Sequence, residues 1–191
     1  MDMFARSRTG RLDDKRVSPE DIMSLLIQTP RLDLFPCPPQ VARTAYGGKR
    51  QMETLLGAQI ASDWLNKEAR GLMTYYAQWL EHDPMMLGWG LWLLKHREDR
   101  VIIGSSGFKG KPDRFGQIEI GYGIGASYWR QGYTFEAASA LVEWAFQHPN
   151  VRRITAECLV TNAGSIRILE KLGMTRTGIE VDYIKWKLDK P

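Results

Sequence analysis

The residues from Ile118 to Ala137, IEIGYGIGASYWRQGYTFEA, constrain the fold more than any other stretch of this chain. They open with Ile118, Ile120, Tyr122 and Ile124, apolar at every second position, which predicts a strand with one packed face. The other face carries Glu119, Gly121 and Gly123. Glycine inside a strand gives up packing, and it marks a place where another backbone or a ligand comes close. A turn containing Gly132 follows. From Thr134 the period changes: Phe135, Ala138, Leu141, Val142, Ala145 and Phe146 fall on one helical face. Strand, glycine turn and helix N-terminus, in that order, bring free backbone N–H groups to the positive end of a helix dipole. That arrangement suits a phosphate.

The flanking elements follow the same logic. Thr29 to Phe35 predicts a first strand, ended by Pro36, Pro38 and Pro39. Gln40 to Asp83 is helical: a short helix holds Met52, Leu55 and Leu56 with Gly57 as its stop, and a longer one runs from Glu68 to His82. Its aromatic cluster, Tyr75, Tyr76 and Trp79, reads as core, with a substrate-facing wall as the alternative. Trp89–Lys95 and Val101–Lys109 predict a hairpin across the polar turn HREDR. Arg153–Val160 is a strand, Asn162–Leu172 a helix stopped by Gly173, and Met174–Gly178 and Asp182–Leu188 are short strands. The expected fold class is α/β (α+β), a mixed, mostly antiparallel sheet with helices packed on it.

A chain of 191 residues can bury a sizeable core. Its net charge of +4 fits an anionic ligand and is too small to argue for nucleic acid alone. Residues 1–26 read as a flexible arm, loose to about Ile22, with Arg6, Arg8, Arg11, Lys15 and Arg16 among Ser, Thr, Gly and Asp. A phosphate- or RNA-binding arm is the other reading of that segment. Residues 27–191 read as a single domain. Cys37 and Cys158 lie far apart and read as free thiols, which places the chain in the cytoplasm. No apolar run approaches the roughly 18 residues of a membrane span, so no membrane partner is expected. His82, His96 and His148 show no metal spacing and read as surface histidines; no metal site is expected.

Strand, turn and helix alone would also fit a dinucleotide fingerprint or a plain tight turn; no G-x-G-x-x-G follows Ala126 and no Walker lysine is present, which speaks against the Rossmann and P-loop readings. A second pattern downstream, N-x-x-S-x-x-x-L-E-K-L-G-M from Asn162 to Met174, narrows the reading. Together with E-I-G-Y-G-I (Glu119 to Ile124), Y-W-R-Q-G-Y-T-F-E-A (Tyr128 to Ala137), L-V-E-W-A-F (Leu141 to Phe146) and Thr29-Pro30-Arg31-Leu32, it resembles the GNAT superfamily of N-acetyltransferases. The resemblance is nearest to the Rim-type ribosomal-protein N-terminal acetyltransferases.

The resemblance implies a GNAT-like sheet with a splayed strand pair holding acyl-CoA, and acetyl-CoA as cosubstrate. The amides around Arg130, Gln131, Gly132, Tyr133 and Thr134 would hold its pyrophosphate. Tyr122, Gly123 and Ile124 would pair with the pantetheine arm as an added strand. Asn162 would hydrogen-bond the pantetheine or the substrate region, or serve only as a helix cap. Thr134 stands where the family usually has Gly or Ala. Glu119 matches the general-base position of some members, with a solvated strand carboxylate as the plainer alternative. A backbone N–H near Ile124 is the expected oxyanion donor. Leu169 occupies the place of the family's tyrosine acid, which leaves Ser165 as the nearer candidate.

The implied reaction is direct transfer of an acetyl group to a primary amine, either a protein N-terminus, ribosomal proteins included, or a small molecule. Gln40 to Trp89 is expected to line the acceptor site, with Glu53, Asp63, Glu68, Glu81 and Asp83 as carboxylates that could meet a cationic amine. An acyl-CoA-binding or sensing module with little catalysis is the rival reading. An exposed strand edge at the C-terminus is compatible with a homodimer.

Overall fold

The computed structural model describes residues 17–191, so the arm's Arg6, Arg8, Arg11, Lys15 and Arg16 lie outside the described residues. In chain order the elements are α1 (Pro19–Ser24), β1 (Ile27–Gln28), β2 (Leu32–Pro36), α2 (Pro39–Arg43), α3 (Lys49–Leu56), β3 (Gln59–Ile60) and α4 (Lys67–His82). There follow β4 (Leu91–His96), β5 (Val101–Phe108), β6 (Gln117–Ile124), α5 (Tyr133–Gln147), β7 (Arg153–Leu159), α6 (Ala163–Lys171), β8 (Thr175–Glu180) and β9 (Tyr183–Asp189).

The strands order as β1-β2-β4-β5-β6-β7-β9-β8, with β3 beside β5. The β3–β5 and β6–β7 pairs are parallel and the others antiparallel. The mixed, mostly antiparallel sheet expected from the sequence is present. Its centre is covered on both faces, which explains why β4 reads as an unbroken apolar run. Trp92 and Leu94 pack on one side with Leu141, Ala145 and Leu169. Leu91 and Leu93 pack on the other with Val41, Met73, Tyr76 and Leu80. Thus α5 and α6 cover one face, and α2 and α4 the opposite one.

Several boundaries follow from caps. Asn66 accepts from the Ala69 N–H at the start of α4, and Gly57 ends α3 at φ 59°. The loose arm expected as far as Ile22 gives way to α1 from Pro19. There Ser18 and Asp21 form a reciprocal capping box and Ile22 is buried. The two-residue strands β1 and β3 carry no periodicity that a sequence could reveal. Among the described residues no helix is long and apolar enough to cross a membrane.

Candidate active site

The site begins where β6 and β7 part. β6 pairs with β5 from Ile120 to Ile124, but with β7 only through Gln117, Ile118 and Glu119. Beyond Glu119, β7 keeps its pairing with β9 as far as Leu159, and a gap opens beside β6. Hydrogen bonds show which way the β6 backbone faces. Glu119 C=O accepts from Lys109 N–H and Gly125 N–H donates to Ile103 C=O, each at 2.9 Å. Residues 119, 121, 123 and 125 therefore turn their backbone groups toward β5. Tyr122 and Ile124, in alternate register, turn theirs into the gap. The Ile124 carbonyl is taken by Trp129 Nε1 at 3.0 Å, which leaves its N–H. This corrects the expectation for Gly123: its backbone is committed to β5, and what it offers is a missing side chain.

The turn after β6 has the second set of open amides. Arg130 (φ 61°) and Gly132 (φ 85°) are both left-handed, with Gln131 between them, a geometry that gathers successive N–H groups into a nest. No side chain caps α5. Among the described residues, no bond is made by the amides of Gln131, Gly132, Tyr133, Thr134 or Phe135. The expected phosphate-binding positions are thus brought together as backbone donors at the positive end of a 15-residue helix. The Tyr133 side chain itself is buried and serves the framework.

Long-range contacts hold this turn from three sides. Asp63 Oδ2 accepts from Ser127 N–H at 2.7 Å, and that bond holds the Asp63 carboxyl below the usual range. Tyr128 OH donates to Asp99 Oδ2 at 3.2 Å. His96, expected at the surface, is instead buried, and its Nε2 lies 2.9 Å from Tyr133 OH. On the other side of the ring, Nδ1 lies 3.2 Å from both the Asp99 N–H and Asp99 Oδ2. Finally, Arg31 donates to Gln131 C=O at 2.8 Å and to Glu136 Oε2 at 2.7 Å, with its guanidinium 4.3 Å from the centre of the Tyr133 ring.

Glu136 also accepts from Thr29 Oγ1 at 2.6 Å and from Arg31 N–H at 2.9 Å. Burial pushes its carboxyl up, but these bonds and the Arg31 charge outweigh burial, so it sits below the usual glutamate range. A depressed folded pKa stabilises the protein above the unfolded glutamate value of about 4.3, and that contribution is lost as pH falls through the lower folded value. Glu136→Gln is therefore expected to flatten part of the acid limb of Tm against pH. The expected loss at pH 7 is about 1 kcal/mol, since Arg31 is half-exposed and screened. Parallel acid limbs for the two proteins would contradict the clamp.

The catalytic candidates stand on opposite faces of the sheet. Tyr122 points to the α5 and α6 side, where its hydroxyl lies 3.5 Å from the Ser165 carbonyl. Burial pushes the Tyr122 phenol up to about 12. Ser165 is half-buried in the first turn of α6, and its N–H donates to Asn162 Oδ1 at 3.0 Å. Asn162 is thus an N-cap, with its amide nitrogen unpartnered among the described residues. Glu119 stands at the fork on the other face, ion-paired with Lys109, which is also 3.2 Å from Glu157. No contact joins Glu119 to Ser165 among the described residues.

On the Glu119 side lies a cavity of about 580 Å³ between α4 and the strands β4, β5 and β6. Leu72, Tyr75, Tyr76 and Trp79 form its wall, so the aromatic cluster read as core faces a cavity as well. Glu119 is not in its lining, whereas Lys109 is. Of the five carboxylates singled out, Glu53 is held by Ile60 N–H, Glu81 by Arg43 and Asp83 by Lys111. Asp63 and Glu68 remain at the cavity. Among the described residues no cluster of three or more His, Cys, Asp or Glu is arranged to hold a metal. Asp63, His96, Asp99 and Lys109 owe their places to contacts distant in sequence, and no local pattern marks them.

Comparison with known proteins agrees with this geometry. The family described as Acetyltransferase (GNAT) domain matches residues 39–175. The chain is 33% identical over 162 residues to the uncharacterized N-acetyltransferase YjdG of Bacillus subtilis, covering 85% of this chain and 96% of that protein. In fold it is similar to the ribosomal-protein-S5-alanine acetyltransferase of Vibrio fischeri, with a TM-score of 0.61 at 14% identity over 87% of this chain and 97% of the other. It is likewise similar to the microcin C7 self-immunity acetyltransferase MccE, whose structure holds acetyl-CoA and AMP, with a TM-score of 0.60 at 16% identity over 84% and 93% of the two chains. The chain belongs to the GNAT family and is an acetyl-CoA-dependent N-acetyltransferase.

Proposed function

We propose that the gap between β6 and β7 holds acetyl-CoA and that its acetyl group passes directly to a primary amine arriving through the α4-side cavity. One observation carries this reading: two sets of open backbone groups lie in sequence along one path. The amides of Gln131 to Phe135 fit a pyrophosphate, and the Tyr122 N–H and C=O facing the gap fit an amide of a pantetheine arm, which leaves the Ile124 N–H for the thioester. Arg130, exposed beside the turn, adds positive charge. Acetyl-CoA supplies the acyl group as a thioester.

The roles of the residues follow from where they stand. The amine nitrogen attacks the thioester carbonyl from the cavity side, and the Ile124 N–H faces the oxygen that becomes negative. The C–S bond breaks on the opposite side, toward Ser165, whose hydroxyl donates to the departing thiolate. The proton lost by the ammonium passes to Glu119 through water, since this carboxylate lies behind the cavity lining. The names of related ribosomal-protein acetyltransferases make a protein N-terminus one candidate acceptor and a small amine the other, for an enzyme working in the cytoplasm.

Calorimetric titration with acetyl-CoA, followed by an assay of amine-dependent thiol release, tests the proposal. Stoichiometric binding with turnover on a primary amine is the expected result. Binding without thiol release for any amine would favour a sensing module, the reading that Leu169, buried where the family's tyrosine stands, also motivates. No binding would defeat both.

A further inference from the structure

The shape of the cavity bears on what the acceptor is. Its floor contains Gly90, Gly107, Gly121 and Gly123. Two of these glycines have no structural reason to be glycine. Neither Gly121 nor Gly123 has a positive φ, and a Cβ added at either would meet nothing within 4 Å. Strand glycine forfeits stability, so this bare strip is a cost to the fold that a ligand lying on it would explain. At Gly90 the reason differs: a Cβ would fall 2.2 Å from the Tyr76 ring, so glycine there lets that ring lie against the floor.

Opposite the floor, α4 presents apolar groups to open space. Leu72 is 50% exposed and Tyr75 54% exposed, and the Tyr75 and Trp79 rings pack at 4.6 Å between centroids. A flat floor facing an aromatic wall makes a slot for a flat apolar body. Charge sits mainly at the end where α4 begins. Asp63 is held ionised by the Ser127 amide, and Glu68 has no ion-pair partner among the described residues. The cavity's Lys109 is already neutralised by Glu119 and Glu157.

We infer that the acceptor is a small primary amine carried on a flat aromatic body: an arylalkylamine whose ammonium is attracted into the cavity by the Asp63 and Glu68 carboxylates and whose ring comes to lie between the glycine floor and Tyr75 and Trp79. Polyamines, aminoglycosides and peptides fit less well. Each would bring further charges, hydroxyls or peptide groups against walls offering few hydrogen-bond partners; Ser106 Oγ, for one, already donates to Gly121 C=O at 3.0 Å. This inference rests on the transferase reading above and deepens it.

The test is acetyl-CoA-dependent thiol release with 2-phenylethylamine, tryptamine, spermidine, kanamycin and an alanine-initiated tetrapeptide. The expected result is a kcat/KM for the two arylalkylamines about 100-fold above the others. Trp79→Ala and Gly121→Val should each raise the KM for 2-phenylethylamine about tenfold, with acetyl-CoA affinity unchanged by titration. Gly121→Val should also melt no lower than the parent, which separates a filled slot from a damaged fold. Faster transfer to spermidine, kanamycin or the peptide overturns the inference and leaves the transferase reading intact. An unchanged KM in both variants overturns it too. Acetyl-CoA binding with no transfer to any of the five acceptors defeats the inference, whereas the direct-transfer reading falls only if no primary amine of any class releases thiol.

Discussion

Glu119→Gln is expected to lower kcat by about two to four orders of magnitude, the range over which a positioned general base acts, with little change in acetyl-CoA affinity. Glutamine keeps the shape of the side chain and can still meet Lys109, but it cannot take a proton. The fold should hardly notice. Lys109 retains Glu157 at 3.2 Å, and a half-exposed pair of this kind contributes about 1 kcal/mol or less. The open amides of the turn, which are proposed to hold the cofactor, lie beyond the far end of β6. Measuring kcat across pH beside a calorimetric titration separates the two effects. Wild-type turnover in the mutant would remove Glu119 from the mechanism and leave its ion pair with Lys109 as its role. A parallel loss of affinity and rate would mean that the fork itself had moved.

Gly107→Ala is expected to destabilise the protein by about 3 kcal/mol or more, near the upper end for an overpacked strand. Gly107 has φ 155°, and an added Cβ would lie 2.0 Å from the Gly90 carbonyl oxygen. That oxygen accepts from Phe108 N–H at 3.0 Å, so relief of the clash breaks the central β4–β5 ladder. For a chain of this size the change corresponds to a fall in Tm of roughly 6–12 °C. A thermal melt checks it, and an unchanged midpoint would show that the strand can shift without cost. The contrast with Gly121→Val is instructive: two cavity-floor glycines, one required by the fold and the other dispensable to it.

How far the sequence could be read depended on how local each feature was. The change of period at Gly132, from Ile118-Ile120-Tyr122 to Phe135-Ala138-Leu141, foretold β6 and α5 because strand and helix each repeat within a few residues. The Asn162 cap of α6 and the Gly57 stop of α3 were legible for the same reason. The direction of the Gly123 backbone is not legible in the sequence, because it depends on which neighbour β6 pairs with. His96 reads as a surface residue because its partner, Tyr133, is 37 positions away. The aromatic residues of α4 read as core with a substrate-facing wall as the alternative, because a wall of a cavity and a core are built from the same side chains.

Short-range spacing made the longer strands and helices, the phosphate-suited turn and the family resemblance legible, while the two-residue β1 and β3 leave no such trace. Where β6 and β7 separate is set by long-range pairing, which ends at Glu119 and Thr155, residues joined through a whole helix. Packing likewise put Glu119 and Ser165 on opposite faces of the sheet, and of the five acidic candidates it set Asp63, itself bonded to the Ser127 amide, and Glu68 in the cavity lining. Those outcomes depend on which long-range hydrogen bonds and ion pairs satisfy the other groups first, and that competition is resolved only when the chain is packed.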